Sequence, residues 1–141
     1  MGFSRHFFPE YQFAFTQCYG IVDDNSLRIH ILSFNLEAKG MTYIRELADA
    51  RKLDNVSNVT VQGLVQLSEL GKERSAGRRG LLAIVVARPL IYEMARIYAG
   101  LLTDIKKDTR IFYDVKEALS WLDYDGQEID RLIRYMGKHR V

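Results

Sequence analysis

Gly80-Leu-Leu-Ala-Ile-Val-Val-Ala87, followed by Arg88-Pro89, is the stretch that decides the fold. The run from Leu81 to Ala87 shows no alternation of apolar and polar residues. Continuous apolarity is what a strand needs when both of its faces are covered. Pro89 suits the first turn of a following helix, where a missing N–H costs nothing. Leu90, Ile91, Met94, Ala95, Tyr98, Leu101 and Leu102 then form an apolar stripe at helical spacing. A second short apolar run, Arg110-Ile-Phe-Tyr113, meets Asp114 and a helical piece, Glu117-Ala-Leu-Ser-Trp-Leu122. Strand, helix, strand and helix in this order make the unit of a parallel sheet.

The totals agree with a globular α/β chain. With 141 residues it reads as one domain, 1–141, in which 123–141 are a C-terminal helical extension. A hydrophobic content of 48% argues for a buried core instead of disorder. A net charge of +2, from 20 basic and 18 acidic residues, lacks the basic excess of a nucleic-acid binder. Cys18 is the single cysteine, so no intrachain disulfide forms, and a reducing cytoplasm is the expected location. The longest apolar run falls far short of the roughly 20 residues of a membrane span, so no integral membrane segment is expected.

Working back from Gly80, the basic stretch Arg74–Gly80 reads as a link. Its arginines, with Lys72, read either as a solvated loop or as a site for an anionic partner. Val59 to Glu73 reads as a helix with Val61, Leu64, Val65 and Leu67 on one side, and Asp54-Asn-Val-Ser-Asn58 as a polar loop before it. Met41–Arg51 reads as a strand, although Glu46, Ala48 and Ala50 are poor strand formers and a short helix competes. Asp23-Asp24-Asn25-Ser26 has the short polar side chains of a helix start, and Gly40 suits a left-handed stop. The Leu27–Ala38 helix between them competes with a strand in which Leu27, Ile29 and Ile31 alternate. Tyr11–Val22 reads as a strand, joined through Pro9-Glu10 to a first arm Phe3–Phe8, or preceded by an extended arm. At the other end, Asp104–Asp108 is a charged loop. Ile129, Leu132, Ile133 and Met136 mark a last helix after Tyr124-Asp-Gly126.

No catalytic or metal-binding constellation emerges. His6, His30 and His139 lie far apart, and none has a partner spaced to share a metal. No glycine-rich phosphate loop is present, and no cofactor is expected. Cys18 falls mid-strand among apolar residues, where thiols are inert. Functional loops of an open α/β sheet gather at the carboxyl ends of its parallel strands. Asp49 and Arg51 end one strand, Arg88 ends another, and Ser57 follows in the loop after the first. These four are the candidate partner- or ligand-binding residues. Their structural reading is an ion pair at Asp49 and Arg51 and a helix cap at Ser57.

The layout from residue 10 to 122 resembles the bacterial STAS-like proteins, similar to anti-sigma-factor antagonists and to Sec14-type (CRAL-TRIO) lipid-binding domains. The resemblance rests on the strand-end Ala48-Asp49-Ala50-Arg51, on Leu82-Ala-Ile-Val-Val-Ala87, on Ile111-Phe-Tyr-Asp114 and on Glu117-Ala-Leu-Ser-Trp-Leu122. It implies a single-domain, mixed, mainly parallel sheet of four to five strands flanked by helices. It also implies a binding or regulatory module instead of an enzyme. Anti-sigma-factor antagonists are switched by phosphorylation of a serine at the start of a helix, usually after aspartate. Ser57 is the matching phosphoacceptor candidate, although Val56 precedes it. The expected partner is therefore a protein bound at the strand-end loops, with a possible homodimer. The alternative is a small apolar ligand or lipid held between the Leu90–Leu102 helix and the sheet.

Overall fold

The computed structural model describes residues 2–74, 79–101 and 107–141. Residues 75–78 of the basic link, with Arg78, and residues 102–106, which include Leu102 of the helical stripe and 104–106 of the charged loop, lie outside the described residues; Lys107 and Asp108, expected in that loop, instead open a strand. Among the described residues, five strands form one sheet in the order β1-β2-β3-β4-β5. They are β1 (Phe3–Phe8), β2 (Phe13–Asp23), β3 (Tyr43–Asn58), β4 (Arg79–Val85) and β5 (Lys107–Phe112). β1 pairs antiparallel with β2 through a 3-10 turn at Pro9–Tyr11, which selects the hairpin over an extended arm. All later pairings are parallel. The sheet is thus mixed and mainly parallel.

Each parallel step is crossed by a helix: α1 (Asp24–Glu37), α2 (Val61–Arg74) and α3 (Pro89–Leu101). Steps in one direction with the usual crossover hand put these helices on a single face, and α2 packs between α1 and α3. The opposite face receives α4 (Val115–Trp121) and α5 (Gly126–Lys138).

The unbroken apolarity of β4 follows from this layering. Leu82, Ile84 and Val86 meet Ile91, Met94, Ala95 and Tyr98 beneath α3. Ala83 and Val85 point the other way, into a core with Phe13, Phe15, Leu47, Leu119, Leu122, Leu132 and Met136. The space between α3 and the sheet is therefore packed by side chains. The C-terminal segment 123–141 contributes Tyr124, Leu132 and Met136 to the core under α4. Tyr124 donates from its hydroxyl to the Tyr11 carbonyl at 2.8 Å, and Arg45 lies 4.0 Å from the Tyr124 ring centre.

The helix starts are set by short polar side chains. Asp23 and Ser26 make a reciprocal capping box at α1, which resolves the helix–strand ambiguity in favour of helix. Gly40, at φ 92°, turns the chain after α1 in a conformation that glycine adopts without strain.

The sequence expectation fails at 54–58. This segment is strand, not loop, and β3 runs to Asn58 by pairing with β2 up to Asp23. Thr60, not Ser57, caps α2: its hydroxyl accepts from the Gly63 N–H at 2.9 Å and donates to Asp24. Thr60→Val is expected to cost about 1 kcal/mol. Urea unfolding would check this, and an unchanged midpoint would remove Thr60 from that role.

Candidate functional site

β3 and β4 stay paired only as far as Asp49 and Val85. Beyond that register β2 and β3 continue alone, as a ribbon of Tyr19–Asp23 against Lys52–Asn58 with irregular register. The ribbon projects from the carboxyl ends of the parallel strands. Its apolar Ile21 is 64% exposed, and Lys52, Asp54, Asn55, Ser57 and Asn58 are exposed as well.

Asp49 and Arg51 stand two residues apart in β3, so both point to the α4–α5 face. The Asp49 carboxylate is 2% exposed and accepts from Arg51 three times: from Nε at 2.9 Å, from Nη2 at 2.9 Å and from the backbone N–H at 3.1 Å. Arg140 donates a further bond to Asp49 at 2.8 Å. Burial opposes the charge on Asp49, but these hydrogen bonds outweigh it and hold the carboxyl below its ordinary range. Arg88 comes to the same rim from the end of β4. It donates to the carbonyls of Leu53 and Asp54, clasping the edge of β3 that has lost its β4 partner. The rim thus unites Asp49, Arg51 and Arg88. Ser57 stands apart at the far tip of the ribbon, where its N–H donates to the Asn55 side chain at 2.7 Å.

No protein-family model and no curated protein sequence matches the chain. A solved structure does match: an uncharacterized protein from the DUF3478 family with a SpoIIAA-like fold, from Shewanella loihica PV-4. It shares 16% identity and a TM-score of 0.58, covering 85% of this chain and 91% of that one. The fold is SpoIIAA-like. The STAS-like resemblance seen in the sequence therefore holds for the architecture.

In this SpoIIAA-like sheet the rim has further members that no local sequence pattern marks. Gln17, fully buried on β2, stands opposite Asp49, and its Oε1 accepts from the Val141 N–H at 2.7 Å. Lys52 Nζ donates to the Val141 main-chain oxygen at 2.9 Å. The histidines also find neighbours. His139 stacks on His6 with ring centres 4.1 Å apart, and His30 stacks on Phe3 at 4.3 Å. Among the described residues, no group of three or more His, Cys, Asp and Glu could hold a metal ion.

Cys18 is buried, and burial, together with the charges of Glu46 and Asp49, pushes its thiol up, so it stays protonated and a poor nucleophile. Buried Glu46 accepts from the Thr16 hydroxyl at 2.9 Å beneath the helices. No described helix is long and apolar enough to cross a membrane. At the opposite end of the sheet, a hollow of about 240 Å³ is lined by Phe7, Phe13, Met41, Tyr43 and Ile44, among others.

Proposed function

We propose that the protein is a non-catalytic, cytoplasmic regulatory module that engages a protein partner through the strand-end rim. The ribbon carries this reading. It projects past the rest of the sheet, exposes Ile21 beside charged residues, and is braced from below by Arg88 and by the Asp49–Arg51 pair. An aromatic or aliphatic residue ringed by polar ones is a common anchor for a partner. A protonated, buried thiol at Cys18 supports binding over nucleophilic catalysis.

The test is site-directed photo-crosslinking in the source cell. A photoreactive residue at Ile21 or at Asp54 is expected to trap the same partner, whereas one at Glu10, on the opposite end of the sheet, traps none. Equal trapping from Glu10, or none from the ribbon, would overturn the assignment.

A further inference from the structure

Residues 139–141 run from the middle of β1 up to the rim and meet side chains of β1, β2 and β3 on the way. His139 rests on a shelf of His6 and Phe8 from β1, with ring centres at 4.1 and 5.8 Å. Arg140 places its guanidinium on the Asp49 carboxylate of β3 and 5.7 Å from the centre of the Phe15 ring. Val141 is gripped through its main chain, by Gln17 of β2 and Lys52 of β3. Ring shelf, buried acid and main-chain clamp are the parts of a peptide site: one pocket reads a side chain while polar groups grip the backbone.

Two features make the occupant exchangeable. Asp49 keeps three hydrogen bonds from Arg51 whether or not Arg140 is present, so an emptied site leaves no unpaired buried charge. The site is also not fully satisfied by its present occupant. The amide nitrogen of Gln17 is buried without a hydrogen-bond partner, an unmet donor that a ligand carbonyl could take.

We propose that Asp49, Gln17, Lys52 and the His6–Phe8 shelf form a receptor for an extended, arginine-bearing segment of a partner protein, which residues 139–141 fill in its absence. This rests on the rim being the partner-binding surface and names what the rim reads there. Arginine suits the pocket because its planar fork can meet the carboxylate while its face lies on the Phe15 ring.

The probe is a fluorescein-labelled peptide of residues 136–141 with an amidated end, read by fluorescence anisotropy. Two proteins open the site: the chain shortened after Lys138 and the full chain with Arg140→Ala. Circular dichroism reports their folding. Both are expected to bind the peptide at least about tenfold more tightly than the intact chain, whose own residues 139–141 compete. Arg140→Ala in the peptide, or Asp49→Asn in either opened protein, should cost at least about tenfold.

Opened proteins that bind no better than the intact chain, or that bind the alanine peptide equally, overturn the receptor. Crosslinking from Ile21 and Asp54 with no arginine preference would sink the receptor alone. Arginine-dependent binding without those crosslinks would sink the wider rim assignment alone.

Discussion

Gly80→Ala is expected to lower stability by about 3 kcal/mol, the upper part of the range for forcing extra atoms into a packed core. Gly80 stands opposite Ile44 where β4 joins β3. A Cβ there would sit 2.2 Å from the Ile44 carbonyl oxygen and 3.2 Å from its carbon. The obstruction is backbone, so no rotamer change relieves it, and the two strands must separate where the parallel sheet begins. For a chain of this size the melting temperature should fall by roughly 10 °C. Gly137→Ala supplies the contrast. Gly137 lies in α5 with open space around its Cβ position, so alanine there should stabilise by about 0.5–1 kcal/mol. Thermal unfolding of the two variants tests the pair. A Gly80→Ala protein melting within a degree of the parent would mean that the strands do not approach so closely.

The second large effect is expected at Asp49. Removing one partner of a fully buried ion pair costs about 3–5 kcal/mol. Both arginines on Asp49 keep about a third of their exposure, at 36% and 30%, so water can take over part of their solvation. Asp49→Ala should therefore cost roughly 2 kcal/mol. The pH dependence has a definite sign. The folded carboxyl is held below its ordinary 3.8, so its stabilisation is complete well above that value and is lost as pH falls through the depressed folded value. The gap in melting temperature between the parent and Asp49→Asn should be open at neutral pH and close in acid. A gap that stays constant down to the acid limit would show that the charge of Asp49 contributes nothing.

Much of the architecture was legible because it is written in local periodicity. The unbroken run in β4, the stripe of α3 and the spacing of Ile129, Leu132, Ile133 and Met136 each report a face that another layer covers. Asp49 and Arg51 were legible as a pair because a strand puts residues two apart on the same side. The ribbon was not. Asp54-Asn-Val-Ser-Asn58 reads as loop by composition, since only Val56 of these residues is buried. What makes it strand is main-chain pairing with β2, which leaves no mark on side-chain chemistry. By composition Ser57 therefore reads as a helix start, a place that belongs to Thr60. Gln17 and Arg140 carried no signal either. Arg140 lies 91 residues from Asp49 in sequence, and only the return of α5 across the sheet brings them together.

The strand order has a consequence for how the molecule comes into being on the ribosome. Because each new strand joins the edge left by the one before it, the sheet can grow in step with synthesis, each crossover closing a modest loop. The second face has no such schedule. Phe13, Phe15 and Leu47 wait for Leu119, Leu132 and Met136, which emerge much later. Until then the nascent chain carries a finished helical side and a bare apolar one, the kind of surface that invites chaperones and aggregation. The fastening contacts come later than the strands they close, with Tyr124 reaching Tyr11 across 113 residues and Val141 reaching Gln17 across 124. Residues 124–141 thus seal a sheet that residues 3–23 started.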